Sequence, residues 1–454
     1  MSLQDTDLPE GWRLVATADI ANVVGGGTPK TSEAGNFTSE TGHPWITPAD
    51  LTGFKDKFIS RGKRNLTDQG LRTSSAKYMP AGSVLFSSRA PIGYVAIAAN
   101  PLTTSQGFRS LIPSDEIDSE YLYYAMKSLR AEAEQVASGT TFAEISGSTI
   151  KKLRFPLAPL ETQRRIVKLL DVATTRCDSA GKRVAHARQA IERFRQSVLS
   201  AAVSGILTAG WTDAAGTGTG VDLLKQIRMV RREILGSRYK TPEVIQEPWE
   251  VPDAWAWGSP LELSDPIRII TYGVIKLGGT VPGGVPTLRS SDVRWLRIEA
   301  DRVKRIDKQI ADKYQRTYVR GGDVLVTVRG TLGGVAVVPP EMSGWNISRE
   351  VALIPPASDM FGPYLAIAIA SPQCQRWLRA VAKGVAYTGI NIEDLRLLPI
   401  PVPSLSEQIE IANRVQSCLK VSDVILERMS EAMVILVRTS QSVLSRAIAG
   451  ELVA

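Results

Sequence analysis

From Ile166 onward the chain sets down small or apolar residues in alternating steps of four and three: Leu170, Ala173, Cys177, Ala180, Val184, Ala187, Ile191, Phe194, Val198 and Ala201. That rhythm is the a/d seam of a heptad repeat and predicts a long coiled-coil helix. A second run keeps it with lapses, through Ile411, Val415, Cys418, Ser422, Ile425, Met429, Ala432, Leu436, Thr439, Val443 and Arg446. Each predicted helix holds about 40 residues and is on the order of 60 Å long. Each follows a proline-rich run (Phe155 to Pro159, Pro399 to Pro403) and stops at a glycine, Gly205 or Gly450, where a C-cap is expected. A seam of this length must be covered. The economical cover is the other helix, packed antiparallel; the alternative is a second molecule on each seam. Gly181, inside the first helix, costs roughly 1 kcal/mol there, and close approach of the partner helix is the expected reason for it.

The two runs are copies. A shift of 245 positions carries Pro156, Leu160, Gln163 and Ile166 onto Pro401, Leu405, Gln408 and Ile411 without a gap, and Gln196 to Ser200 onto Gln441 to Ser445. A repeat this long means a duplicated chain, not a solenoid. Fainter echoes extend it. Leu8 to Trp12 answers to Val251 to Trp255, Gly25 to Lys30 to Gly278 to Pro282, and Trp45 to Leu51 to Leu288 to Val293. Gly82 to Arg89 with Ile92 to Ile97 matches Gly322 to Arg329 with Leu332 to Val337, each reading as a β-hairpin with an arginine at its tip. Leu111 to Pro113 and Leu353 to Pro355 close a further strand, helices are expected near 121–136 and 363–381, and Gly139 to Phe142 matches Gly384 to Tyr387. Each half is thus a mixed α/β globule of about 150 residues followed by a long helix. Ala214 to Gly220 has the composition of a flexible linker, and a short basic amphipathic helix over 221–235 follows it.

Composition bounds the chemistry. Two histidines, His43 and His186, leave no basis for a His-based triad or a His-rich metal site. The chain has no Cys-x-x-Cys, no phosphate-binding Gly-x-x-x-x-Gly-Lys-Ser/Thr loop and no nuclease-type Glu-x-Lys. Asn100-Pro101-Leu102 lacks the rest of an adenine-methylase motif and reads as a turn, as do the glycine clusters at 25–27 and 278–279. These absences argue against an enzyme. Three cysteines point to a reducing compartment, and the polar N-terminus without a membrane-length apolar run points to the cytoplasm. A net charge of +8 favours a polyanionic partner.

Arg89 and Arg329 stand at the same place in each half, after a strand and before a glycine-containing turn, suited to a phosphate or a guanine edge. Thr28, Lys30, Gln106, Arg109, Thr140, Tyr272, Lys276, Arg289, Arg349 and Tyr387 are further candidates for DNA contact on polar loops. An arginine paired with a neighbouring carboxylate is the competing reading at each such position.

Two unequal globules, each followed by a helix opening Pro159-Leu160-Glu161-Thr162-Gln163 or Ser404-Leu405-Ser406-Glu407-Gln408 and carrying Gln-Ser-Val-Leu-Ser near its end, resemble the specificity subunit of type I restriction-modification systems. The resemblance covers nearly the whole chain and departs at Ser404 and in the second glycine turn. It implies a mixed α/β (α+β) fold of two duplicated target recognition domains separated by two long antiparallel coiled-coil helices, with pseudo-twofold symmetry. The expected segments are a first recognition domain over 1–155, a spacer helix over 156–207, a linker over 208–248, a second recognition domain over 249–400 and a second spacer helix over 401–454. It further implies sequence-specific binding of double-stranded DNA as a bipartite asymmetric site, with helix length setting the spacer. Two methyltransferase subunits and a restriction (translocase) subunit are the implied partners. They would bring S-adenosylmethionine, ATP and Mg, so this chain would hold no cofactor and no metal and would not itself be catalytic. A coiled-coil scaffold whose globules bind other proteins is the alternative.

Overall fold

A computed structural model describes residues 8–89, 91–138, 143–212, 216, 218–242, 248–382 and 389–452. The chain packs as two units, Met1–Ala185 with Ser430–Ala454, and His186–Met429. The packing units therefore cut across the sequence segments, because each globule buries one end of both long helices, Leu160–Ala202 and Leu405–Ile448.

In the first unit, two five-stranded sheets carry the globule. One runs in the order Phe37–Thr38, Arg64–Leu66, His43–Ile46, Leu102–Thr104, Tyr78–Met79; the other Ala21–Gly25, Phe108–Pro113, Val84–Ser87, Val95–Ala98, Phe58–Ile59. Val84–Ser87 and Val95–Ala98 pair antiparallel, as the β-branched run predicts. Arg89 is no free hairpin tip, however: it bridges to Glu144. Helices Ser119–Ser128 and Arg130–Gln135 lie where the pattern places one longer helix. Tyr121, Leu122, Ala125 and Met126 bury against Ile166, Val167 and Leu170 of the first long helix and Ala447 and Ile448 of the second. With Gly181 facing Leu436, these contacts run in opposite senses along the two helices, so they pack antiparallel here.

The second unit repeats the plan with shorter sheets. Thr271–Tyr272, Val351–Ile354, Val324–Thr327 and Val335–Val337 form one, and Lys304–Ile306, Val285–Leu288 and Asn346–Ile347 another. Here Val198, Leu199 and Ala202 of the first long helix share a core with Ile411, Ala412 and Val415 of the second. Thr208 bonds Glu407 and Arg195 pairs with Asp423, again an antiparallel sense. The basic helix runs Gly220–Leu235, capped by Thr219, whose hydroxyl accepts from the Asp222 amide.

The duplicated motifs do the same mechanical work in each unit. Gln163 is fully buried; its Oε1 accepts from the Asp118 amide, and its Nε2 donates to the carbonyls of Glu116 and Ala158. Gln408, also fully buried, accepts from the Phe361 amide and donates to the Pro403 carbonyl. Tyr121 and Tyr364 donate to the carbonyls of Pro156 and Pro401. The opening segments pack on the glycines that end the helices. Gly450 (φ +84°) has Pro9 and Trp12 against it, and Gly205 (φ +77°) has Pro252 and Trp255. At either glycine a Cβ would meet the proline ring at 2.7 Å or less, so both conformation and space require glycine.

Two sequence expectations are corrected. The buried stripe does not hold a strict heptad. Phe194 is exposed while Arg195 is buried, and Ile425 is exposed while Leu426 is half-buried. From there Met433, Ser440 and Ala447 take the inward positions expected for Ala432, Thr439 and Arg446. A straight helix drifts by about 20° per heptad against a seven-residue repeat, and one extra step of four restores the face. The account of Gly181 also changes: a Cβ there would lie 3.8 Å from Leu436 Cδ2, ordinary contact, so close approach does not demand glycine. Among the described residues no helix is long and apolar enough to cross a membrane.

Replacing Gly181 with alanine is expected to stabilise the chain by about 1 kcal/mol, read as a rise in the urea midpoint. Gln163→Leu, and separately Gln408→Leu, should each cost about 2–4 kcal/mol, because buried amides and carbonyls lose their partners. A midpoint within error of the parent for either would refute that role.

Candidate nucleic-acid interface

In the first unit the candidate residues meet at one end of the sheet. Gly26 and Gly27 do not form the turn the sequence suggests. A Cβ on Gly26 would sit 2.0 Å from the Ser105 carbonyl, and one on Gly27 2.1 Å from the Ala76 amide, so these glycines let three backbones touch. That contact delivers the Thr28 hydroxyl to the Gln106 amide at 3.2 Å. The Gln106 carbonyl in turn accepts from Arg109 Nη1 at 3.1 Å. Arg109 Nη2 reaches Glu144 Oε1 at 3.2 Å, and Arg89 Nη1 stands 3.8 Å from Glu144 Oε2. Two candidates, Arg89 and Arg109, thus meet at a carboxylate that composition and spacing did not single out, and Thr28 and Gln106 join them through Arg109. Lys30 is exposed nearby in sequence, 3.6 Å from Glu33. Thr140 lies outside the described residues.

The second unit keeps the frame and changes the chemistry. The structural counterpart of Gly26 is Gly273, whose Cβ would lie 1.9 Å from the Ile347 carbonyl; the Gly278–Gly279 echo is a separate turn. Val274 donates to Ile347 as Gly27 does to Thr104. Two residues beyond those acceptors stand Arg349 and Gln106, both exposed. Across the sheet, Arg109 pairs with Gly25 in the first unit, and Ala352 with Tyr272 in the second. The bulky partner has changed strands. Tyr272 donates to the Ile390 carbonyl at 3.3 Å and underlies Arg329, whose guanidinium lies 5.3 Å from the ring centroid. Arg329 is exposed, and among the described residues no carboxylate stands within ion-pair distance of it.

Arg289 is spent structurally. Its guanidinium makes two 3.2 Å bonds to the buried Asp292, which also accepts from the Arg289 amide at 2.8 Å. Asp50 receives the Thr47 amide in the same way in the first unit, which explains the echo between those segments. Lys276 is exposed, and Tyr387 lies outside the described residues. Ser290 and Glu350, bonded at 2.9 Å, join the second cluster unforeseen.

The clusters offer guanidinium, amide, hydroxyl and carboxylate groups at the end of a sheet. That set suits hydrogen bonding to phosphates and base edges.

A family model described as "Type I restriction modification DNA specificity domain" matches residues 9–183 and 278–429. The chain is 29% identical over 344 residues to the EcoBI specificity subunit of Escherichia coli, covering 76% of this chain and 68% of that protein. It is 24% identical to the EcoKI specificity subunit of E. coli K12, over 98% of this chain and 90% of that one. A Methanocaldococcus jannaschii specificity subunit, MjaIX, is 42% identical over 37% of this chain and 39% of its own. Among solved structures, a chain of a type I R-M system covers 98% of this chain and 99% of its own with a TM-score of 0.63 at 19% identity. The HsdS subunit from Thermoanaerobacter tengcongensis matches at a TM-score of 0.54 and 20% identity, over 98% of each chain.

Proposed function

The chain belongs to the type I restriction modification DNA specificity family, and from that premise we propose that its two globules read the two parts of a split, asymmetric sequence in double-stranded DNA. It is the sequence-specific DNA-recognition subunit of a type I system. The observation that carries the bipartite reading is the pair of polar clusters around Arg89 and Arg329, built at corresponding places of two units and furnished differently. One frame used twice, with unlike side chains, reads unlike bases.

Membership of that family supports a division of labour. Methylation and cleavage belong to partner subunits, which bring S-adenosylmethionine, ATP and Mg, and this chain brings the address. Two methyltransferase subunits dock on the long helices. Val421, Val424 and Ile425 support this, since they lie on one face of the second helix and are 60%, 51% and 38% exposed. A restriction subunit joins the assembly through them. Helix length sets the number of base pairs between the half-sites.

Exchanging residues 251–395 for those of a relative with a different target should alter one half of the methylated sequence and leave the other. Methylome sequencing reads this directly, and a change in both halves would refute modular reading. Adding four residues near Arg176 with four near Val421 should lengthen the spacer by roughly two base pairs, since the added rise is about 6 Å. An unchanged spacer in the methylome would remove helix length from the account.

A further inference from the structure

We propose that Glu144 is a base-selecting residue of the first unit, its carboxylate accepting a hydrogen bond from the amino group of a cytosine. Gly389, at the corresponding place, leaves Arg329 free to address a guanine edge. This rests on the reading of these faces as the DNA-contacting ones. The correspondence is backbone geometry. Glu144 bridges Arg89, and Gly389 bridges Arg329, each antiparallel. The next residues, Ile145 and Ile390, donate to the carbonyls of Ser88 and Val328 at 3.0 and 2.9 Å. One side chain is therefore present in one unit and deleted in the other, directly beside the shared arginine.

Glu144 is not consumed by its neighbours. Oε1 accepts from Arg109, whereas Arg89 stands 3.8 Å from Oε2, beyond hydrogen-bond length, and the side chain is 36% exposed. A carboxylate has about four acceptor sites, so capacity remains. The two guanidinium groups hold it in place, and a carboxylate oriented this way presents acceptors. In the major groove a carboxylate accepts from the cytosine amino group, while it repels the acceptor pair that guanine presents. Without the carboxylate, an arginine stacked on an aromatic ring is aimed at acceptors, and this is the arrangement of Arg329 over Tyr272. Gly389 has no left-handed backbone, and a Cβ on it would lie 3.4 Å from Arg329 Cγ and the Val328 carbonyl, so a glutamate requires only a slight adjustment there.

The test is selection from a randomised duplex library by the chain assembled with its methyltransferase subunits. Parent, Glu144→Gln, Glu144→Gly, Gly389→Glu, Arg109→Ala and Arg329→Ala proteins are compared. Both Glu144 variants should lose preference for cytosine at one position of one half-site, by roughly fivefold or more, and keep the other half. Gly389→Glu should reduce a guanine preference in the opposite half. Glutamine keeps the shape, so it decides the matter if the glycine variant does not fold. A Glu144→Gln protein with the parent's consensus, or with affinity lowered evenly at all positions, overturns the assignment of Glu144. If Arg109→Ala and Arg329→Ala also leave affinity and consensus unchanged, the face itself is wrong and the DNA-contact reading falls with it.

Discussion

In each unit a buried glutamine amide ties the start of a long helix to the globule it serves. Gln163 and Gln408 satisfy loop amides and carbonyls that have no strand or helix partner of their own. A buried, unpaired peptide group is costly, so these bonds fix where the helix leaves the globule and in what direction. The rest of each unit follows from that exit. The helix sets off along the face of Tyr121 or Tyr364, the other helix arrives antiparallel, and its terminal glycine is met by the proline and tryptophan that open the globule. The arrangement is closed by contacts between segments far apart in sequence, and this is why the first unit is discontinuous.

Further along the two long helices the contacts change in kind. Small or polar residues (Ala180, Ser422, Ser440) take several of the inward positions there, beside apolar ones such as Ile191, Leu426 and Leu436. Where the seam slips, a buried guanidinium replaces hydrophobic contact. Arg195 pairs with Asp423 of the other helix and lies 5.8 Å from the Trp295 ring centroid, so Trp295 of the second globule braces on the first long helix. In the first unit Lys57 bonds Asp171 of the long helix and Glu120 of the globule beneath two tyrosine rings. Burial alone would lower the Lys57 pKa, but the two carboxylates outweigh it and raise the value. Both braces use a cation to fix a globule to a long helix.

The repeat, the two long helices, the pairing of Val84–Ser87 with Val95–Ala98 and of Val324–Thr327 with Val335–Val337, and the lack of catalytic motifs were legible in the chain. These features depend on periodicity or on neighbours within a few residues. What was not legible depends on long-range geometry. Arg289 looked available and is locked to Asp292; Glu144 looked ordinary and gathers Arg89 and Arg109 from 55 and 35 positions away. The glycines at 26 and 27 looked like a turn because glycine most often signals one. Their reason is the approach of the Ser105 carbonyl and the Ala76 amide, which no local pattern encodes. The 245-residue shift does place Glu144 on Gly389, so the difference was present in the sequence, though its meaning was not.

Divergence between the two faces respects the volume of the sheet while changing its chemistry. Gly25 opposite Arg109 and Tyr272 opposite Ala352 are the same cross-strand pair with the large residue moved to the other strand. A simple substitution at either position would overfill or hollow the sheet end; the paired exchange does neither. It exchanges a guanidinium that reaches a carboxylate for an aromatic ring that supports a guanidinium. Because the strands behind are fully buried, at Phe86 and Leu111 in one unit and Leu325 and Leu353 in the other, such exchanges leave the frame untouched. A duplicated protein can therefore change what one end recognises without disturbing the helices that both ends share.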